Sequence, residues 1–274
     1  MTVLHLGAAD EGLATNQRRF FDEALPETLH AKAFAEFDAR QYDEDTISWA
    51  RESWQLRTLD EYRSQVGFTE FLFELTELGC AFDTLTAAVR VVRDEARHVE
   101  LCRRLVNALG GTDDIPGEPN WVRSDSEEPL RVRAVQTLTG SLCIGETLST
   151  ALLAATRDVT EDPLAREVVT ALTRDESFHS QLGWTLLAQL WPVLNAREKK
   201  RVEKRIVMDL ESAREAVFEN CDFDDSDVPR NPFGHLKNAE RTKVYERSLE
   251  RDVLRRFEKL GIRTGAQRRR APSP

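Results

Sequence analysis

Glycine and proline, the residues that most often interrupt helices, are scarce in this sequence, with 13 glycines and 10 prolines among 274 residues. Leucine, alanine, glutamate and arginine are abundant instead, and these residues favour helices. A chain of this length forms one large domain, or one domain with appendages, and buries a substantial core without the help of disulfides or structural metals. We therefore predict an all-α protein.

Cysteine is also rare, and the four cysteines form no CxxC pair and no evident disulfide framework. The N-terminus lacks the basic region and the apolar run of a signal peptide. Both observations predict a cytoplasmic protein in which the cysteines are reduced thiols. These cysteines are Cys80, Cys102, Cys143 and Cys221.

Positive charge is in deficit, because the net charge is −10 at pH 7. This balance argues against nucleic acid as a partner. The basic run 268–270 is short and lies in a segment, 263–274, that we predict to be a disordered tail. The apolar stretch from Leu130 to Arg157 is long enough to span a bilayer, but it contains Glu146 and several threonines, so we expect no membrane span.

Only five histidines occur, and two of them lie in a hexapeptide pattern, Arg-Asp-Glu-x-x-His, that is present twice. The copies occupy residues 93–98 and 174–179. A Glu and a His three residues apart share one face of a helix. A single pair is typical of an exposed helix surface, but two pairs on facing helices can bind two metal ions. We therefore predict that four residues are metal ligands: Glu95, His98, Glu176 and His179.

Helix signals predict four long helices in the middle of the chain, over residues 46–78, 84–109, 130–157 and 163–191. Gly79 and Gly110 suit helix ends, and Pro163 suits a first turn. Short loops make each successive pair a hairpin, and the connection over 110–128 is long. A bundle with one long crossover has the ferritin-like topology.

This topology divides the chain into four predicted parts. They are an N-terminal helical extension over 1–45, a ferritin-like four-helix bundle over 46–192, C-terminal helices that pack on the bundle over 193–262, and the disordered tail over 263–274. Each hairpin carries the Glu-x-x-His pair on its second helix. The first helix of each hairpin should then supply one further carboxylate.

Glu146 is the clearest such carboxylate, because it is the sole charged residue between Arg133 and Arg157. A lone carboxylate among small and apolar residues has a large desolvation cost unless a partner such as a metal ion compensates it. Glu146 and Glu176 are also centred on residue 161, inside the turn of the second hairpin. We predict that Glu146 is a metal ligand.

The corresponding ligand of the first hairpin is harder to place. That hairpin turns near residues 79–83, so the residue opposite Glu95 should lie near 67–70. Glu70 is the closest acid, and we predict it as the ligand, with Glu74 and Glu61 as alternatives.

Three further charged residues of the repeated motif have predicted supporting roles. Asp94 and Asp175 each precede the motif Glu, and each is expected to accept the remaining N–H of the His on the opposite helix. Arg97 either neutralises these acids or is an exposed cation.

The motif pair Asp-Glu-Ala-Arg-His (94–98) and Asp-Glu-Ser-Phe-His (175–179) resembles that of bacterial multicomponent di-iron monooxygenase hydroxylases and, more broadly, of ferritin-like di-iron oxygenases. Two further matches are Cys102, four residues after the first motif His, and Thr150, four residues after Glu146. The resemblance covers roughly residues 60–192. In stand-alone arylamine N-oxygenases an extra His occupies the position of Leu172, which cannot bind metal.

The resemblance implies an oxygenase or oxidase with two iron ions, or manganese, and O₂ as a co-substrate. It implies catalytic roles for Cys102 and Thr150, the latter in proton delivery. The implied partners are a small organic substrate and an external electron donor such as a reductase or ferredoxin, and relatives of this fold often form homodimers. The residues also permit an iron-handling ferroxidase, a manganese catalase or a metal-free helical interaction protein.

Overall fold

The computed structural model describes residues 3–7, 10–117, 127–218 and 225–265. Helices account for most of these residues, so the prediction of an all-α protein is confirmed. A single two-stranded antiparallel sheet accompanies them: β1 (Val3–His5) pairs with β2 (Asp114–Pro116). The sequence analysis did not anticipate this pairing. The rest of the long connection, over 118–126, lies outside the described residues.

The described helices follow one another in chain order as ten α-helices. They are α1 (Glu11–Asp22), α2 (Ala31–Ala35), α3 (Glu44–Glu77), α4 (Phe82–Ala108), α5 (Leu130–Thr137), α6 (Glu146–Val159), α7 (Pro163–Leu190), α8 (Ala196–Phe218), α9 (Asn238–Ser248) and α10 (Arg255–Lys259). Two π-helical segments, Leu138–Gly145 and Leu249–Leu254, join α5 to α6 and α9 to α10.

The first hairpin consists of α3 and α4. Asp43 caps the N-terminus of α3 by accepting a hydrogen bond from the Thr46 amide at 2.8 Å. Gly79 ends this helix with a φ of 65°, a left-handed conformation that glycine adopts without steric cost. The helix is unbroken over 34 residues. It therefore presents its acids at fixed angular positions along one rod.

The second hairpin consists of the rod α5–α6 and helix α7. Asp162 caps α7 by accepting from the Ala165 amide, and Pro163 occupies the first turn as predicted. The π segment between α5 and α6 ends directly before Glu146. Single π turns inside α-helices often occur at functional sites.

The two hairpins pack against each other through α4 with α7 and through α3 with α5. Their shared core contains buried apolar side chains of every one of these helices, such as Phe68, Val91, Val132 and Leu187, together with Trp184, which is 8% exposed. On α3, Phe71 is buried, whereas Phe73 is 60% exposed. Side chains two positions apart on a helix point in nearly opposite directions, so one of this pair faces the core and the other faces solvent.

The outer elements cover the two ends of the hairpin pair. Buried Phe21 and Phe34, from the N-terminal elements, join a cluster with Leu105 of α4. On the other side Phe257 of α10 packs edge-on to Trp184 of α7 at 4.9 Å. Of the predicted tail over 263–274, residues 266–274 lie outside the described residues, and Thr264, inside the predicted tail, is packed and 6% exposed.

One described helical stretch, Leu130–Val159, has the length and apolar composition that a membrane span requires. Half of its most apolar window is buried against other helices, as in the core helix of a soluble protein.

Close packing of α7 on the π segment yields a stability prediction. A methyl group added at Gly183 would lie 2.6 Å from Cβ of Leu142 and 3.0 Å from its backbone carbon. We expect Gly183→Ala to lower the free energy of unfolding by about 1–3 kcal/mol, because overpacking forces the helices apart. Urea denaturation measures this change.

The matched control is Gly145→Ala at the end of the same π segment. A methyl group there has its nearest neighbour at 3.4 Å, so this helical site accepts alanine. We expect no loss of stability, or a gain below about 1 kcal/mol. Equal destabilisation by both substitutions would contradict the close approach of α7 to Leu142.

Candidate metal centre

The interior between the two hairpins contains a cluster of six ionisable side chains. Each of the four long rods supplies at least one of them, and none is more than 5% exposed. The cluster consists of Glu61 from α3, Glu95 and His98 from α4, Glu146 from α6, and Glu176 and His179 from α7. The structure thus brings together five of the six predicted ligands and one of the two alternatives.

These side chains form two groups, each compact enough to hold a metal ion. The first group is Glu61, Glu95, His98 and Glu176, and the second is Glu95, Glu146, Glu176 and His179. Within each group the ligand atoms lie within 4.8 Å of one another. Glu95 and Glu176 belong to both groups, so the two sites are adjacent and share two carboxylates.

Both imidazoles direct Nδ1 towards the carboxylates. Nδ1 of His98 lies 3.4 Å from Glu61 and 3.5 Å from Glu176. Nδ1 of His179 lies 3.1 Å from Glu95 and 2.9 Å from Glu176. The ring centroids are 5.9 Å apart. The imidazoles therefore converge from opposite hairpins.

Several buried atoms of the cluster have no hydrogen-bond partner within the described part of the chain. They include both carboxylate oxygens of Glu95 and Nδ1 of His98. A buried polar atom without a partner costs about 1–3 kcal/mol, and more for a charged group. Carboxylate oxygen and imidazole nitrogen are also metal-ligand atoms. The residues therefore fit a pair of cations.

The far side of each imidazole contacts an aspartate of the opposite helix. Nε2 of His98 lies 3.4 Å from Asp175, and Nε2 of His179 lies 3.6 Å from Asp94. This crosswise placement is the one expected from the sequence. An acceptor at Nε2 fixes the proton there and leaves Nδ1 unprotonated for a metal.

Arg97 connects the two aspartates. Its Nη2 donates to Asp94 at 2.9 Å and to Asp175 at 2.5 Å, and its side chain is 6% exposed. Burial alone would raise the pKa of Asp94, but the contact with His179 and the charge of Arg97 outweigh it and lower that pKa. The pKa of Asp175 is also lowered, against burial, by His98, Arg174 and Arg97. Both aspartates are therefore anionic at neutral pH, and Arg97 is a buried cation between them.

The pKa values of Glu146 and Glu176 shift in opposite directions. Burial, followed by the charge of Glu176, raises the pKa of Glu146 well above its usual range. Burial would also raise the pKa of Glu176, but hydrogen bonds from Glu146 and His179 lower it to about 2. Burial alone would lower the pKa of His179, whereas contacts with Asp94 and Glu176 raise it to about 11.

On the first helix the structure places a different glutamate in the cluster from the one predicted. Glu61 lies in the cluster, whereas Glu70 is partly exposed and belongs to neither ligand group. Nine residues are about two and a half turns, so the two side chains point to opposite faces of α3. Glu74, the other alternative, is buried elsewhere and accepts a hydrogen bond from Arg133 at 2.7 Å.

The two residues predicted as catalytic lie beside the cluster. Cys102 is fully buried on α4, and the charges of Glu61, His98 and Arg57 act on its thiol. Burial raises the pKa of Cys102 well above its usual value, so the group is a thiol at neutral pH. The Thr150 hydroxyl donates to the carbonyl oxygen of Glu146 at 2.6 Å, one turn from the ligand.

Sequence reasoning missed a hydrogen-bonded chain next to the ligands. The hydroxyls of Thr147 and Ser180 lie 2.7 Å apart, and Nε1 of Trp184 donates to Thr147 at 3.0 Å. Thr147 follows Glu146 and Ser180 follows His179, so each is adjacent to a ligand. Isolated Thr and Ser residues in a helix carry no sequence signal for such a contact.

A surface groove of about 580 Å³ lies between α1 and the outer face of the first hairpin. Tyr62, Ala96 and Val99 line it, and all three are neighbours of ligands on the same helices. None of the six cluster residues lines this groove. It is therefore separate from the metal centre.

Comparisons with protein-family models, with curated proteins and with solved structures give no match. The geometry of the cluster is therefore the basis for any functional assignment.

Substitution of two glutamates of α3 tests Glu61, which lies in the cluster, against Glu70, which was the predicted ligand. We expect Glu61→Gln to reduce bound Mn(II) or Fe(II) from two ions per chain to about one, because the first ligand group loses the one carboxylate that it does not share with the second. Glu70→Gln should retain two ions. Metal analysis after anaerobic reconstitution gives the stoichiometry, and circular dichroism verifies the fold. Equal metal content in both variants would remove Glu61 from the centre.

Metal binding should release protons. The pKa of His179 is raised to about 11, so this imidazole carries a proton at pH 7, and the pKa of Glu146 is raised as well, whereas metal ligands must be deprotonated. Affinity should then increase with pH between about 6 and 8, roughly tenfold per unit for each displaced proton. Titration calorimetry with Mn(II) in two buffers of different ionisation enthalpy counts these protons. A pH-independent affinity is incompatible with the cluster as a metal centre.

Proposed function

We propose that this protein is a non-haem di-iron oxygenase or oxidase built on a ferritin-like four-helix bundle. The observation that carries the proposal is the pair of overlapping ligand groups in which Glu95 and Glu176 are common to both. Glu61 and His98 belong to the first group alone, and Glu146 and His179 belong to the second group alone. Four carboxylates and two histidines on four helices are the ligand set of ferritin-like di-iron and di-manganese proteins.

Charge balance supports two divalent cations. The ligand set contains four carboxylates, Glu61, Glu95, Glu146 and Glu176, all buried. Burial of several like charges is strongly unfavourable unless they are compensated. Two divalent cations would neutralise four carboxylates, and neutral histidines would complete the two groups.

Iron is the proposed metal, because oxygen- and nitrogen-rich sites with open positions suit redox-active ions of this type. When bound, a pair of Fe(II) ions supplies the electrons that activate O₂ for oxidation of an organic substrate by hydroxylation, N-oxygenation or desaturation. The protein's own contribution is to hold the ligands, exclude bulk water and position protons.

Individual residues have defined parts in this proposal. Asp175 and Asp94 keep the ligand imidazoles in the tautomer with Nδ1 free, and Arg97 holds both aspartates in place. Thr150 is proposed to deliver a proton, because its hydroxyl lies one turn after Glu146. Cys102 is proposed to face the reacting side of the first ligand group as a neutral thiol.

The chain must obtain electrons from a separate donor, since its sequence shows no motif for a flavin, an iron–sulfur cluster or a nicotinamide. Cys80, Cys102 and Cys143 are free in the structure, in keeping with a proposed cytoplasmic location. The helices outside the two hairpins are not needed to hold metal. Their presence supports an organic substrate over simple iron storage.

Reaction with O₂ tests the proposed function. Protein reconstituted with two Fe(II) ions per chain should consume about one O₂ per iron pair in the absence of reductant. With a reductant it should turn over repeatedly while its iron content stays at two. Oxygen-electrode measurements and iron analysis after gel filtration read both quantities.

The alternative functions give different results in the same experiment. Uptake of iron well beyond two ions per chain would indicate a ferroxidase. Rapid breakdown of H₂O₂ by the manganese-loaded protein, with no O₂ uptake by the iron form, would indicate a manganese catalase. Failure to bind either metal would leave a helical interaction protein. Glu70→Gln serves as the control variant, because Glu70 lies outside both ligand groups.

A further inference from the structure

Three arginines form an exposed surface around the aspartates that contact the metal centre. Arg90 and Arg93 of α4 contact Asp94 at 3.2 and 3.3 Å, and Arg174 of α7 contacts Asp175 at 3.1 Å. The arginine side chains are 46%, 49% and 61% exposed, whereas both aspartates are buried. We call Arg90, Arg93 and Arg174 the arginine face.

The charge of this face is opposite to that of the whole chain. Between Asp83 and Glu100 on α4, and beyond Glu167 on α7, every acid is buried and the exposed charged residues are the three arginines. With Arg97, four guanidinium groups lie beside two aspartates, which leaves an excess of two positive charges. The net charge of the chain is −10. An anionic partner would therefore favour this face over the surrounding surface.

The arginine face is also separated from each imidazole of the centre by one residue. Arg174 contacts Asp175, whose other oxygen lies 3.4 Å from Nε2 of His98. Arg93 contacts Asp94, whose other oxygen lies 3.6 Å from Nε2 of His179. A partner seated on the arginines would approach both histidines through two equivalent short routes.

We propose that the arginine face is the docking surface for an acidic one-electron donor protein. The inference rests on the proposed function, because O₂ activation requires electrons that the chain does not supply. Each encounter would transfer one electron, oxidising the donor and reducing one Fe(III) to Fe(II), and two encounters would restore the pair. Arginine suits this role because its planar guanidinium binds carboxylates with defined geometry.

A charge-reversal pair tests the assignment. R93E/R174E removes the face, and R131E/R255E is the matched control, since Arg131 and Arg255 are 46% and 62% exposed and also pair with glutamates. Both double variants change the net charge equally. The probe is a recombinant acidic [2Fe–2S] ferredoxin, and fluorescence titration at low ionic strength gives its Kd. We expect R93E/R174E to weaken binding at least about tenfold, and the control to stay within about threefold.

Binding is measured on the protein with and without metal, so failure of the metal centre and failure of docking are distinguishable. Binding of wild-type protein should weaken between about 50 and 200 mM salt, and R93K/R174K should retain most of the affinity. Equal Kd values for the two reversal variants, or no binding by wild-type protein, would overturn the proposal. Binding to anionic phospholipid vesicles is measured in parallel. If R93E/R174E loses binding to the vesicles but keeps binding to the ferredoxin, the proposal is also overturned, because the arginine face would then be a membrane-binding surface. If R93E/R174E does not fold, R174E against R255E provides the same comparison.

Discussion

The burial of four carboxylates in one interior cluster is the constraint on which the rest of the structure depends. Glu95 has no hydrogen-bond partner for either oxygen among the described residues, and the pKa of Glu146 is raised by burial and by its anionic neighbour. Hydrophobic packing alone does not stabilise such groups in the interior, because burial of an unpaired charge costs several kcal/mol per ion. The arrangement is understandable if cations complete it, and the helices then serve to hold ligands that repel one another.

The repeated motif explains how the hairpins are held together at this point. Each copy supplies a ligand pair on the inner face and an aspartate that reaches the imidazole of the other copy. Arg97 is present in the first copy alone, yet it contacts the aspartates of both. The second copy has Phe178 at the equivalent position, and its ring lies under the Arg90 guanidinium at 3.6 Å. One buried cation and one cation–π contact therefore replace a symmetrical pair of arginines.

The sequence was sufficient for the helices, for the two motif pairs and for Glu146, but not for the ligand on α3. Glu146 lies thirteen residues before the end of α6, and Glu176 lies thirteen after the start of α7, so the assumption of equal distances from the turn was correct there. In the first hairpin Glu95 also lies thirteen residues after the start of α4, but Glu61 lies sixteen residues before the end of α3. The difference of three residues is about one helical turn, so Glu61 is on the same face of α3 as the position at equal distance from the turn. Several acids occupy α3, and the choice among them depends on helix rotation, which packing determines.

Two different physical means hold the ligand side chains in place. On α4 and α7 the ligands adjoin an ion-pair network that spans both helices. On the rod α5–α6, Glu146 is the sole charged residue between Arg133 and Arg157, so its position depends on packing and on the hydroxyl contact of the adjacent Thr147. Gly183 permits the close approach of α7 to Leu142, and the Thr147 hydroxyl, hydrogen-bonded to Ser180 and Trp184, connects α6 to α7 beside Glu146. The position of Glu146 thus depends on the fit between α6 and α7, and the geometry of the second ligand group depends on residues that belong to neither ligand group.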